Sequence, residues 1–530
     1  MEKLLQFFTI SKKHNSLFFS VFLKNWNKTW LTVLALFLYN TSISQTAIDT
    51  TSAKFDKEIK GVLLDFDGKT ALPYANIVLL HKNTGTITNE KGEFNFNITE
   101  LHENDTLSFQ YIGYETKNIS INQIDSSAVI YLKESTYNLN EIFVFTNDLN
   151  AESIVKKVLE KKETNYKRNF NKSQTFIRKR FISDINNIKF DYKKSSFPEL
   201  NEEMIKKIEK KIPKHSVSFT DFLGDLYFSN SNIDSLHLKV DPIKMVSLKD
   251  KNLADMNQLE SIFEKMLANT KEKEYWKIKS GIIGGKVQIS DDVDTKTKDS
   301  LKLLNEVNFK TLQYRNSINY LLRYSSFNNK KDWDFLHHTN RYKFTLVGGT
   351  VVNGEDVYII DFVPKSSGKF KGRVFIAIKS FALIRADYEY TPGKTGTDIH
   401  LFGVGYTKNR FNGSISFEKK YGAYQLKYCS KKEGSRMSVD RNLSLIKKKK
   451  KFLLDKKLNE IKVRLNLSAS EEYTFELLVL NQQEISNEQF KHFKQKEFIK
   501  MVYVDQFDDQ LWKGYTTIEP TKQMREYKKQ

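Results

Sequence analysis

The chain has 530 residues, enough for two or three domains, with 39% hydrophobic and 13% aromatic residues to build their cores. Its formal charge of +21 comes from basic residues spread along the chain, with Lys, Asn, Ile, Phe and Tyr abundant together, so it reads as a compositional bias and argues against a nucleic-acid interface. A single cysteine, Cys429, excludes an internal disulfide, so the fold must be held by its cores.

Residues 1–44 read as a signal peptide with a long n-region. Lys24 and Lys28 supply positive charge, and Trp30 to Tyr39 is an apolar run. Ser42-Ile43-Ser44 places small residues where a signal peptidase inspects, so cleavage before Gln45 is expected. The run is shorter than the roughly 20 apolar residues that cross a bilayer, and a retained anchor is the alternative. A start site downstream of Met1 also fits, because Leu17 to Leu23 is a second apolar piece. No Cys follows the apolar run, which argues against lipid attachment. Residues 45–58 read as a linker.

Residues 59–133 read as short strands. Phe94, Phe96 and Ile98 alternate with polar residues, as do Leu107, Phe109 and Tyr111, then Ile119 and Ile121, then Val129 and Tyr131. Ala75, Ile77 and Leu79 alternate with Asn76, Val78 and Leu80, a strand apolar on both faces. Asp67-Gly68 is a hairpin signal, since Gly tolerates positive φ. Asn89 to Gly92 fits a four-residue turn, and Pro73 sits at a strand entrance. Strands at this spacing predict a small antiparallel β-sandwich.

The same residues carry a resemblance. Gly61 to Gly68, Leu72 to Ile77, Gly85 to Phe96 and Tyr111 to Tyr114 follow one another as in the carboxypeptidase-regulatory-like domain, which this stretch closely resembles. The resemblance implies a prealbumin-like β-sandwich in an exported protein of Gram-negative bacteria. It does not imply peptidase activity, since in the zinc carboxypeptidases this domain follows the catalytic one and performs no chemistry.

Residues 134–166 read as a linker and connecting helix, with Ile154, Val155, Val158 and Leu159 at helical spacing and Asn150 as cap. Asn138 to Phe145 and Ala151 to Tyr166 resemble the joint after this sandwich in outer-membrane-associated proteins. Residues 167–330 read as a mixed section with helical insertions. Gln174 to Phe181 predicts a strand, Glu199 to Lys211 a helix ended by Pro213, and Leu259 to Leu267 an amphipathic helix. Lys286 to Lys298 reads as a loop, and Leu301 to Tyr324 as another helix.

Residues 331–520 return to period two. Tyr342 to Leu346, Val357 to Phe362, Val374 to Ile378, Ile384 to Tyr390, Ile415 to Phe417 and Tyr424 to Tyr428 predict successive strands. Ile461 to Leu467 and Tyr473 to Leu477 continue them, and Glu488 to Ile499 reads as a basic helix. The expected fold class is mainly β with α: the sandwich, then a large curved antiparallel sheet with helical insertions. Tyr342 to Leu346, Asn353 to Pro364 and Phe370 to Asp387 look like the half-barrel of periplasmic lipoprotein-carrier proteins, which implies a sheet able to hold an acyl chain or a lid helix. The helical section argues against a transmembrane barrel. Lys447 to Lys451 reads as a solvated hairpin tip, with contact to anionic lipid as the alternative. Residues 521–530 form a basic tail.

No catalytic, cofactor-binding or metal-ligating residue is nominated. His337-His338 lacks zinc-ligand spacing, and Asp291, Asp292 and Asp294 lack the central Gly and closing Glu of a calcium loop. Gly281 to Lys286 is too short for a phosphate loop, and Cys429 sits in an alternating strand without a partner motif. The expected protein is therefore not an enzyme and needs no cofactor. It is a binding or assembly module of the periplasm or outer membrane, with an envelope protein or lipid as partner. A lipid- or lipoprotein-handling carrier and an envelope hydrolase without a local motif are the alternatives. An open apolar groove would favour the carrier, converging His and carboxylates the hydrolase, and a filled sheet the assembly module.

Overall fold

The computed structural model describes residues 57–80, 84–98, 105–135, 150–167, 169–198, 200–229, 237–249, 274–280, 283–287, 306–352, 354–451 and 454–527. The expected signal peptide, the helix at Leu259 to Leu267 and the Asp291 to Asp294 segment lie outside them.

The first unit is the expected sandwich. Strands β1 (Lys57–Asp65), β2 (Asn76–Leu79), β3 (Thr84–Ile87), β4 (Glu93–Ile98), β5 (Thr106–Gln110), β6 (Lys117–Ser120) and β7 (Ser127–Leu132) form two sheets, ordered β4-β1-β7 and β3-β2-β5-β6. All pairs are antiparallel except β1 with β7, which run parallel. The alternating residues Ile59, Leu63, Ile77, Leu79, Phe94, Phe96, Leu107 and Phe109 meet between the sheets as one core. Gly92 closes the Asn89 turn at φ 74, where a Cβ would be strained. In the Asp67-Gly68 turn it is Lys69 that takes positive φ, because the Asp65 side chain already accepts from the Gly68 amide and fixes that residue.

After it comes α1 (Ala151–Glu160), whose Asn150 cap accepts from the Ser153 amide at 2.8 Å, then α2 (Lys162–Asn165). A fifteen-stranded sheet follows. Its first strands are β8 (Asn171–Ser195), β9 (His215–Phe228), β10 (Leu238–Lys249), β11 (Glu274–Ser280), β12 (Ile283–Val287) and β13 (Glu306–Lys310). Next are β14 (Tyr342–Val352), β15 (Glu355–Pro364), β16 (Phe370–Ala377), β17 (Leu383–Tyr390), β18 (Asp398–Leu401) and β19 (Val404–Lys420). The last are β20 (Ala423–Lys449), β21 (Lys456–Glu484) and β22 (Phe498–Val504). The order along the sheet is β13-β22-β10-β9-β8-β21-β20-β19-β17-β16-β15-β14; β11, β12 and β18 pair off this path. The sheet does not close into a barrel, and its pairs are antiparallel apart from β10 with β22.

Several expectations are corrected here. The sheet does not begin at residue 331: β8 to β10 belong to it, because β8 pairs with β21, β9 with β8 and β10 with β9. Leu301 to Tyr324 is not one helix. Glu306–Lys310 pairs with β22 as a strand, and the helix α4 is confined to Thr311–Leu322. Helix α3 spans Glu202–Lys211, within the expected range. Glu488 to Ile499 likewise divides. A capping box at Ser486 and Gln489 starts the short helix α6 (Asn487–His492), and Ile499 belongs to β22. Lys286 and Val287, expected in a loop, belong to β12, paired with β11.

Both faces of the central sheet are covered. One face buries Ile177, Phe222, Cys429 and Leu477 under α1, α4 and α5 (Asp334–His337). Trp333 fills the middle, fully buried, its indole donating to the Tyr324 carbonyl at 2.8 Å. The residues next along the same strands, Phe176, Leu223, Tyr428 and Leu478, point the other way. They meet Ile87 of the sandwich and Trp512, Ile518 and Met524 of the C-terminal segment, which ends in α7 (Lys522–Arg525). A smaller core at the far end joins Phe197, Ile205 of α3, Trp276 and Ile461.

The polar exception at the centre is Arg178. It lies opposite Asp221 in the β8–β9 register and is bidentate to it, Nε–Oδ1 at 2.9 Å and Nη2–Oδ2 at 2.7 Å. Its Nη1 donates to the carbonyls of Ile518 (2.9 Å) and Glu519 (3.2 Å), fastening the C-terminal segment to the sheet. Asp221 is fully buried. Asp221→Asn should therefore cost about 3–5 kcal/mol in urea unfolding, since it leaves a buried guanidinium unpaired. Arg178→Met with Asp221→Leu should cost less than the sum of the single changes.

Candidate functional site

Between the sandwich and the sheet lies a cavity of about 480 Å³. Period two builds its floor. Arg178 and Arg180 of β8, Arg410 and Asn412 of β19, Ser430 and Lys432 of β20, and Thr474 and Glu476 of β21 all stand on the sandwich-facing side of neighbouring strands. Pro73, Tyr74, Asn89 and Glu90 close it from the sandwich, Thr391 to Lys394 from the turn after β17, and Glu519 and Thr521 from the C-terminal segment.

Tyr74 is held at φ 61, a left-handed conformation uncommon outside glycine. Its ring stacks on Tyr428 of the sheet at 4.9 Å, and burial raises its hydroxyl pKa. The Asn89 side chain accepts from the amides of Lys91 (2.8 Å) and Glu93 (3.0 Å), shaping the turn that presents Glu90. The junction is fastened around the cavity by Asn97 to the Tyr515 carbonyl (3.1 Å), Thr86 to the Thr517 carbonyl (3.2 Å), and Arg385 over the Tyr111 ring (4.8 Å).

The cavity has two electrostatic ends. At one, Glu472 receives Arg180 Nη2 at 2.8 Å, Arg410 Nη1 at 2.8 Å and Lys432 Nζ at 3.3 Å, three cations about one carboxylate. At the other, burial pushes the Glu476 carboxyl up, Arg178 opposes the shift and Glu90 adds to it; the Tyr428 hydroxyl donates to Glu476 at 3.2 Å. Four residues of strand, about 13 Å, separate the two carboxylates.

A second polar cluster lies on the helix-bearing face and is internally balanced. Lys431 Nζ reaches Asp332 (2.8 Å) and Glu433 (3.0 Å), and Lys408 also contacts Glu433. Burial alone would raise the Glu433 carboxyl pKa, but the two lysines hold it well below its usual range. Two cations and two carboxylates satisfy one another, which suits a clamp on the turn before α5.

The residues weighed in the sequence fall elsewhere. His337 ends α5 and His338 follows it, so they do not alternate across a strand. His337 Nε2 bonds the Phe327 carbonyl at 2.6 Å and His338 Nδ1 bonds Asp334 at 2.8 Å. Cys429 is a fully buried strand residue, its thiol pushed up to about 12 by burial. Lys447 is not in a solvated tip. It is buried within β20 and paired with Glu274 at 3.1 Å, because β11 adds to the sheet there. Among the described residues no group of three or more His, Cys, Asp or Glu is placed to hold a metal, and no helix is long and apolar enough to cross a membrane. The cavity residues were missed. The signal available was a set of charged residues at every second position in strands whose other face is apolar.

Residues 59–144 match the family model of the CarboxypepD_reg-like domain. The match spans the sandwich and the start of the joint, not the sheet. No curated protein matches the chain. Among solved structures, the complex of Pseudomonas aeruginosa MucA and MucB is similar at 7% identity and a TM-score of 0.16, over 64% of this chain and 100% of that one. A LolA-superfamily protein from Nitrosomonas europaea is similar at 8% identity and a TM-score of 0.15, over 64% and 97%. Likenesses this distant carry no argument.

On the helix-bearing face, Glu471 stands in line with Tyr473 and Phe475 of β21, and burial pushes its carboxyl from an ordinary 4.5 up to about 7. The folded chain then keeps a proton that the unfolded chain releases between those values, so this group lowers stability as pH rises from 4.5 to 7 and no further above. Glu471→Gln should stabilise the protein by about 3 kcal/mol at pH 8 and by almost nothing at pH 4, measured by urea unfolding at both.

Proposed function

We propose that the protein is an exported, non-catalytic module of the cell envelope that binds or assembles with an envelope partner. The observation that carries this reading is the closed helix-bearing face. Where a carrier would keep a groove for an acyl chain, Trp333, Phe335, Tyr342, Phe362 and Tyr388 pack against one another. The void under Leu322, Leu426 and Leu477 is about 20 Å³, room for a water and not for a lipid tail. The CarboxypepD_reg-like segment supports the non-catalytic part, because the domain it resembles performs no chemistry. The apolar run at Trp30 to Tyr39, followed by small residues, supports export.

The partner has sheet edges to meet. Among the described residues, strands β6 and β7 are the last in the order of the two sandwich sheets, and β14 is the last in the large one. On β14, Val347 and Val351 are half exposed and stand two turns of the pleat apart on one strand.

Fractionation of the native host, with mass spectrometry of what co-purifies, tests the reading. The protein should be recovered with the envelope, accompanied by a protein partner and no stoichiometric lipid. Recovery in the cytosol would end the export claim, and one lipid per chain would put the carrier in place of the assembly module.

A further inference from the structure

Three buried polar atoms on the wall of the cavity beneath the sandwich have no hydrogen-bond partner among the described residues: Arg180 Nε, Thr391 Oγ1 and Glu519 Oε2. Buried polar atoms are rarely left so; two of the three, Arg180 Nε and Thr391 Oγ1, can donate to an anion, while Glu519 Oε2 can only accept and calls for a hydroxyl donor. Arg180 is 9% exposed and held on its other side, Nη1 by Gln523 (3.2 Å) and Nη2 by Glu472 (2.8 Å) and Thr474 (3.2 Å). The guanidinium is therefore fixed in position with its Nε–H unused.

Charge points the same way. Arg180, Arg410 and Lys432 converge on the single carboxylate of Glu472, so cations outnumber carboxylates in that cluster. Lys394, on the rim, donates to the Ser366 carbonyl at 2.9 Å, a bond that neutralises no charge. The other charges of the wall are answered: Arg178 by Asp221, Glu389 by Lys371 at 3.1 Å, and Glu519 by Arg525. Glu90 and Glu476 also line the cavity, and Arg180 acts on the Glu476 carboxyl as well as on Glu472. The volume exceeds that of a bare inorganic anion and falls in the range of small-molecule sites.

We propose that this cavity binds a small organic phosphate, with its oxyanion among Arg180, Arg410 and Lys432 and its body against Tyr74. Arginine forks and a lysine point charge suit a dianionic tetrahedral group. Such a ligand touches the sandwich and the sheet at once, so its occupancy stabilises their junction.

The test uses the full chain and defined probes. Glycerol 3-phosphate and inorganic phosphate are titrated by calorimetry at constant ionic strength set with sodium chloride, and thermal unfolding is followed in parallel. Saturable 1:1 binding of glycerol 3-phosphate is expected, with a rise in Tm. The variant Arg410→Gln with Lys432→Gln should lose at least about tenfold in affinity. Both side chains reach solvent, so its Tm without ligand should match that of the unaltered chain. Vesicles containing phosphatidic acid form the second arm. Sedimentation with them that the same variant abolishes, without binding of the soluble ester, assigns the phosphate to a lipid headgroup. Succinate binding as tightly as glycerol 3-phosphate would overturn the phosphate assignment. Absence of saturable binding in every arm, or affinity unchanged in the variant, would overturn the site. The readout needs no partner, so the site and the assembly reading stand or fall separately.

Discussion

The centre of the large sheet is apolar on both faces, and the rest of the molecule is arranged to cover it. In β8, β9, β20 and β21 neighbouring residues such as Phe176 and Ile177, or Leu477 and Leu478, point to opposite sides and are both buried. Leaving either side wet would forfeit roughly 1.5–3 kcal/mol per large side chain. The helices take one side. The other is taken by two segments far apart in the chain, the sandwich and the C-terminal stretch, and neither covers it alone. Arg178 binds this arrangement together. Its pairing with Asp221 brings two charges into the sheet, and the carbonyls of Ile518 and Glu519 complete its bonding only if the C-terminal stretch is docked. The same residue thus ties strand pairing to the cover.

The two covers differ in quality, and that difference separates the functional readings. Aromatic rings fill the helix side, and polar groups there bond inward, as Tyr324 does to Tyr388 at 2.8 Å. On the sandwich side the apolar patch ends at Phe219 and Tyr428, and charged residues take over towards β19. The sandwich therefore meets the sheet across an apolar contact at one margin and a water-sized-to-ligand-sized gap at the other. A carrier would need the reverse, an open apolar side and a closed polar one.

The sandwich was legible in the sequence because its information is local. Turn residues at Asn89 and Gly92 and alternating pairs such as Phe94 and Phe96 fix short strands within a few residues, and the family motifs lie in the same stretch. The sheet was legible as a succession of strands from Tyr342 onward, but not in its extent. Period two in β8 is obscured where both faces are buried, so Gln174 to Phe181 reads as a short strand and not as part of a 25-residue one. The strand at Glu306–Lys310 was hidden for another reason. Val307 also falls at helical spacing with Leu304 and Leu312, and only its pairing with β22 decides between the periods. The cavity was not legible at all. Arg180, Arg410, Lys432 and Glu472 come from four strands, and nothing in the local sequence of any one of them shows that the other three are its neighbours.

Net charge alone says little about where such a chain binds anything, and the internal pairing shows why. The basic residues are numerous, but the structure spends many of them inside. Lys431 and Lys408 are held by Asp332 and Glu433, and Lys447 by Glu274. On the surface, Arg464 is held by Asp440. Pairs of that last kind contribute little to stability and offer little to a ligand. What distinguishes the ground around Glu472 is not the number of cations but their convergence on one carboxylate, with Arg180 buried and Arg410 open to solvent. Burial strengthens the charge of Arg180 more than that of its exposed neighbours, so a cation fixed there outweighs a larger excess spread over the open surface.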